Sequence, residues 1–236
     1  MVGSVPVAKE QASAPTGETG KLENGGEWMP SLSDNIRPNL AGNYPNIHPD
    51  SLIDPSAQVI GNVEIAKDVF IGPLTVIRAD QPGPDGTVGC VKIAEEVNIQ
   101  DGTIIHSLPG GSVTIGARTS IAHGAVIHGP CTIGTGCFLA LRSILYSANL
   151  ENDVWLGMGA LVMNTDIHSF SKVPAGEAIR SLAEAMKLRV TTEEEKKYME
   201  EVLTANSRLR SVYLELRSKA KSIKSSVEGK AVKNSS

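Results

Sequence analysis

The chain has 236 residues, room for one or two domains, with 41% hydrophobic and 20% charged residues. Its net charge of −4 excludes a general nucleic-acid binder, which needs a basic face, and no apolar run approaches the ~18 residues of a membrane helix. Aromatic residues are only 4%, against 23 Gly and 13 Pro, so the core must be built from aliphatic side chains in thin, repeated layers.

Residues 1–35 read as a disordered tail, rich in Ala, Thr, Gly and Glu and without hydrophobic period. The tail has no apolar secretory stretch, and the three cysteines lack paired spacing. A reducing, cytoplasmic location is expected. Residues 36–52 form a Pro- and Asn-rich lead-in. From Ile53 to about Asn164 an aliphatic residue recurs every six positions, at 53, 59, 65, 71 and 77, then 93, 99 and 105, then 115 to 145, and again at 150, 156 and 162. The residue four places further on is usually small, as at Ala57, Thr75, Thr103, Thr119, Ala125 and Cys137. This hexad period predicts a parallel β-helix of about six turns, an all-β solenoid with three hexads, or 18 residues, per coil. Two breaks interrupt it. The step from Ile77 to Ile93 holds ten extra residues and the step from Ile105 to Ile115 holds four, both Pro- and Gly-rich surface excursions.

After a polar connector, a short helix is expected from Ser181. A longer C-terminal helix over 191–224 opens with a Thr192–Glu195 capping box. Tyr198, Val202, Ala205, Leu209, Val212 and Leu216 give that helix one apolar face, expected to pack on the β-helix or a neighbouring subunit. Residues 225–236 read as a frayed tail. The β-helix with its lead-in and connector occupies 36–190 as a single domain.

Three of the five histidines acquire positions on this coil. His106 and His128 each follow the aliphatic residue of a hexad and are 22 residues apart, which is 18 once the four-residue excursion is removed. They therefore stack in adjacent turns, near the ~4.8 Å strand spacing, where two imidazoles can share a metal ion. Arg78 continues this column one turn earlier. Asp101 and His123 form a second column, also one turn apart, on the adjacent face. His123 cannot reach the His106/His128 pair within one chain, so a three-His site requires a second subunit, which also brings Asp101 to Arg78. Each subunit offers both columns, so the association closes as a ring, most naturally a trimer. Three neutral imidazoles with an open fourth position are the pattern of a catalytic zinc site. Cys131 and Cys137 fall at inward positions and read as core, while His48 and His168 read as surface.

The segments IRAD (77–80), NIQDGTIIH (98–106) and AHGAVIHGP (122–130), set in hexads, resemble the γ-class carbonic anhydrases over roughly residues 33–190. NIRPN at 35–39 is similar to the lead-in of the archaeal type. The resemblance implies a left-handed β-helix and a homotrimer. It implies Zn2+, with Fe2+ or Co2+ as substitutes, held by His106 and His128 of one subunit and His123 of the next. It also implies reversible hydration of carbon dioxide to bicarbonate by a metal-bound hydroxide. In that comparison Arg78 and Asp101 match an intersubunit pair, and Asp80 the carboxylate that supports it. Gln100 matches the residue that hydrogen-bonds the hydroxide, with Asn98 in the same motif, and Tyr146 falls beside the carbon dioxide pocket. Two departures stand out. Gln81 replaces a glutamate after Arg-x-Asp, and SLPGGSVT (107–114) lacks the acidic residues of the corresponding loop, which implies slow proton release. A non-catalytic or weakly active trimeric scaffold and a hexapeptide acyltransferase are the alternative readings.

Overall fold

In the computed structural model, which describes residues 34–233 and side chains as far as residue 219, the hexads wind into a parallel β-helix of about seven turns. Residues 1–33 of the expected tail lie outside the described residues. Three sheets form the sides of the coil. Sheet I has eight strands, from Ile36–Arg37 to Ala178–Ile179, and sheet II has six, from Asn46–Ile47 to Asn149–Leu150. Sheet III also has eight, from Leu52–Ile53 to Arg189–Val190, the last of which pairs antiparallel. Most strands are two to four residues long because each hexad must also supply a corner.

The aliphatic hexad positions stack as continuous rungs. Ile77, Ile105, Ile127, Leu145 and Val162 pair in succession along sheet I, each fully buried. Each such side chain contributes roughly 1.5–3 kcal/mol by leaving water. Inward polar residues at the corners bond to backbone, Thr119 Oγ1 donating to the Gly134 carbonyl at 2.9 Å and Thr75 Oγ1 to that of Gln100 at 3.1 Å. The corners repeat as well: Asp68, Glu96, Arg118, Gly136, Asp153 and Phe170 occupy one column, all with φ between 56° and 68°.

The coil is longer than the hexad count indicates at both ends. The lead-in supplies two strands, Ile36–Arg37 and Asn46–Ile47, because Ile36 and Ile47 pack against the core and start a first turn. Beyond Asn164 the connector makes another turn, with Ile167, Val173 and Ile179 buried. One step, from Val162 to Ile167, is five residues, and the six-residue spacing then resumes through Val173 and Ile179. Both excursions emerge where the spacing places them.

The short helix α1 (Leu182–Ala185) is capped by Ser181, whose side chain accepts from the Glu184 N–H. Helix α2 runs over Glu193–Lys233, through residues read as a frayed tail, since Lys, Glu and Ala there favour the helix. Its capping box forms as expected, Thr192 Oγ1 accepting from the Glu195 N–H at 3.2 Å and Glu195 Oε2 from the Thr192 N–H at 2.9 Å. The helix lies along sheet III, with Met199 and Val202 packed on Phe138, Ala140 and Trp155. The face in contact is rotated from the expected one. Met199, Asn206 and Arg210 turn inward, whereas Leu209, Val212 and Leu216 are exposed.

Candidate metal centre

The first half of the site lies on the outer surface of sheet I. The register pairs His106 with His128 and His128 with Tyr146, so the inferred column exists. The same register pairs Ile105 with Ile77, which puts Arg78 next in line with His106. The His106 and His128 rings are 5.3 Å apart between centroids and inclined at 75°. Two imidazoles on one tetrahedral ion at ~2.0–2.1 Å per nitrogen have about this ring separation. Tyr146 stacks on the other side of His128 at 5.3 Å and 20° and fixes its plane. Asp80 reaches across the column: Arg78 Nη1 donates to its Oδ2 at 2.9 Å, while its Oδ1 is 3.5 Å from His106 Nε2.

This donor set suits a divalent ion. His106 Nε2, His128 Nδ1 and Asp80 Oδ1 are all buried and lack a hydrogen-bond partner among the described residues. Burial, followed by the neighbouring Arg78 charge, pushes the His106 pKa below its ordinary value and keeps the ring neutral, as a ligand must be. Among the described residues no group of three His, Cys, Asp or Glu side chains in one chain is arranged to hold an ion. A third protein ligand has to come from outside this column.

The second half faces outward from sheet III. His123 Nδ1 lies 3.8 Å from Asp101 Oδ2, one turn below it, as the spacing requires. Gln100 and Asn98 stand beside them. Gln100 Nε2 donates to Asn98 Oδ1 at 2.5 Å, and Asn98 Nδ2 donates to Ser120 Oγ at 2.8 Å. With its nitrogen committed, Gln100 keeps its oxygen as an acceptor. Gln100 and His123 border a cleft of about 800 Å³ between sheet III and α2, whose far wall includes Trp155, Tyr198, Leu141 and Met158. Asn206 also borders it and escaped the sequence reading. The available signal was a polar residue at i+4 from Val202 on a stripe that otherwise turns inward.

The structure thus gathers the site residues into two groups. Arg78, Asp80, His106, His128 and Tyr146 form one, while Asn98, Gln100, Asp101 and His123 form the other. Among the described residues no side-chain hydrogen bond or ion pair joins the two groups within the chain. The remaining candidates stay outside. Cys131 and Cys137 are buried, with the Cys137 thiol pushed up to about 12 by burial. His48 and His168 are exposed beside Asp50 and Glu151. Among the described residues no helix is long and apolar enough to cross a membrane.

The repeat family described as bacterial transferase hexapeptide (six repeats) matches residues 44–79. The carboxysome assembly protein CcmM of Nostoc sp. is 32% identical over 178 residues, covering 71% of this chain and 31% of that protein. A carbonic anhydrase of Methanosarcina thermophila is 28% identical over 169 residues, covering 64% of this chain and 66% of that one. This chain therefore spans about a third of the first relative and just under two thirds of the second. Among solved structures, a hexapeptide transferase family protein from Anaplasma phagocytophilum superposes with a TM-score of 0.63 at 27% identity, over 75% of this chain and 97% of that one. The chain belongs to the hexapeptide-repeat left-handed β-helix proteins, and among them it is similar to the γ-class carbonic anhydrases.

Proposed function

We propose that the chain hydrates carbon dioxide reversibly to bicarbonate at metal centres shared between the subunits of a homotrimer. The observation that carries this reading is the division of the histidines. His106 and His128 are stacked for one ion on sheet I, and His123 stands at the corner after a sheet III strand of the same chain; among the described residues no group of three such side chains in one chain is arranged to hold an ion. A second copy would supply the missing imidazole, so that His106 and His128 of one subunit and His123 of the next would hold the ion. Apolar surface accompanies both halves, which suits a contact between copies. Ile104 and Ile144 are 45% and 40% exposed beside the His106/His128 column, and Leu141 and Met158 are exposed beside His123. The same contact sets Asp101 against Arg78 as a charge-assisted pair.

Zn2+ fits three imidazoles best, with Fe2+ and Co2+ also suited to such a set. A bound ion would make water acidic enough to supply hydroxide near neutral pH. The protein's own groups do the rest. The Gln100 oxygen, an acceptor facing the cleft, would take a hydrogen bond from a hydroxide there and so orient it toward carbon dioxide. Leu141, Met158, Ala122 and Ala140 give an apolar approach suited to an uncharged substrate. Asp80 and Arg78 brace His106, and the Tyr146 ring holds His128. Gln81 and the loop 107–114 carry no carboxylate to take the released proton, so buffer must accept it and turnover is slow.

The test pairs metal analysis with a carbon dioxide hydration assay on protein prepared with and without air. His106→Ala is expected to remove both metal and activity; full retention of either sinks the assignment. The similarity to carboxysome assembly proteins supports a second reading, a trimeric scaffold that keeps the ion for stability. A metal-loaded trimer without hydration across about pH 6 to 9 decides for that reading. Binding of coenzyme A by metal-free protein decides for an acyltransferase.

A further inference from the structure

The two excursions leave the coil at one corner, beside the candidate centre. The first follows Asp80 and the second follows His106, so their seating bears directly on both residues. They are joined backbone to backbone. The Gly110 N–H donates to the Gln81 carbonyl at 3.1 Å, and the Val113 N–H donates to that of Cys90 at 3.1 Å. Between these bonds the loops meet at glycines: a Cβ at Gly83 would lie 3.1 Å from Gly110 Cα, and one at Gly110 would lie 2.9 Å from Gly83 Cα. The first loop is held in shape from within, the Gly83 N–H donating to the Thr87 carbonyl at 2.8 Å and Asp85 Oδ1 accepting from the Thr87 N–H at 3.0 Å. Beneath the pair, Asp80, His106 and Ser107 border a hole of about 10 Å³, at the threshold for one water. Asp80 Oδ1, His106 Nε2 and Ser107 Oγ are buried there without hydrogen-bond partners among the described residues. A displacement of the loops bears directly on these groups.

We infer that Gly83 and Gly110 are positioning residues for the metal centre. Their contact sets how closely the loop pair seats on Asp80 and His106, and so the geometry in which His106 meets an ion. The inference rests on the metal reading above. Gly83 does not have a positive φ, so Gly83→Ala introduces a wedge without backbone strain, its Cβ meeting Gly110 Cα at 3.1 Å and Asp85 Oδ1 of its own loop at 3.2 Å, whereas Gly110 has φ +71° and Gly110→Ala adds backbone strain. Gly86, at the tip of the first loop, has φ +81° and nothing within 4 Å of its Cβ position, so Gly86→Ala supplies strain without a wedge.

The experiment measures zinc affinity by chelator competition, with the thermal midpoint of the metal-free protein as a second readout, for the wild type and the three variants. The wedge in Gly83→Ala is expected to weaken zinc binding about tenfold or more with an unchanged midpoint, as the loss of a ligand's support typically does. Gly86→Ala is expected to bind as the wild type does, and Gly110→Ala to bind more weakly than Gly86→Ala. If Gly83→Ala does not fold, the comparison of Gly110→Ala with Gly86→Ala carries the same test. Wild-type affinity in both wedge variants, or equal loss in Gly86→Ala, overturns the inference and leaves the metal reading intact. A wild type that binds no zinc overturns both.

Discussion

At Gln100 the chemistry depends on which end of an amide faces the cleft, and one neighbour decides it. Asn98 is 3% exposed, and its oxygen takes the Gln100 N–H while its own nitrogen is spent on Ser120. Removing that neighbour frees Gln100 to rotate. Asn98→Ala is expected to lower kcat/KM for carbon dioxide hydration by about 10- to 100-fold while metal content stays at the wild-type level. Loss of metal together with activity would assign Asn98 to structure instead. A rung residue behaves differently. Ile127 is fully buried directly before His128, and Ile127→Ala should cost about 2–5 kcal/mol in denaturant unfolding. The histidine columns were readable from spacing because subtracting the excursions leaves Arg78, His106, His128 and Tyr146, and likewise Asp101 and His123, 18 residues apart in succession. Asn206 was not readable in that way. It lies on a helix, where polar positions count as outward, and its inward turn is set by contacts with sheet III.

Helix α2 meets the coil with nearly matched periods. Lys196 sits over Phe170 and Arg210 pairs with Asp68 at 2.9 Å, 14 residues or about 21 Å along the helix. Phe170 and Asp68 are five corners apart in one column, about 24 Å at the strand spacing, so one helical turn tracks roughly one coil. Arg118 grips Glu200 midway at 2.7 Å. The N-terminal end is held by Glu195, which accepts from Lys172 and from Arg189. Hydrogen bonding to Arg189, with further help from Lys172 and the Thr192 N–H, holds the Glu195 carboxyl far below the usual carboxylate range. Because its folded pKa is depressed, its contribution is complete above the unfolded value of ~4.3 and fades as pH falls toward the folded value. Glu195→Gln is therefore expected to destabilise the protein by about 1–3 kcal/mol at neutral pH, with the difference from wild type closing in acid. Trp155 emission in a Trp28→Phe background reports the release, since Tyr198 stacks on Trp155 at 5.8 Å and Lys172 lies 4.5 Å from its ring. A pH-independent difference would place the effect elsewhere. The capping box was readable from Thr192 and Glu195 alone. The third partner, Lys172, was hidden because it is 23 residues away on sheet III and meets Glu195 only in the folded chain.

On the proposed reading the site is complete only in more than one chain, and that requirement can be tested by mixing. Each proposed centre draws His106 and His128 from one subunit and His123 from the next, so a His106→Ala trimer and a His123→Ala trimer each lack a ligand at every interface. In a mixed ring, an interface is whole where a His123→Ala chain supplies the sheet I pair and a His106→Ala chain supplies the sheet III imidazole. Random assortment of equal amounts makes about a quarter of all interfaces whole. Refolding the two variants together should therefore restore metal to about a quarter of the wild-type content, and hydration activity in proportion. Each variant alone should stay below that level however long it is incubated with zinc. A site contained within one chain gives no such recovery, because no mixing can repair a ligand missing from the same subunit. Dissociation to monomers in dilute solution is expected to release the ion for the same reason, since neither half-site retains more than two of the three imidazoles.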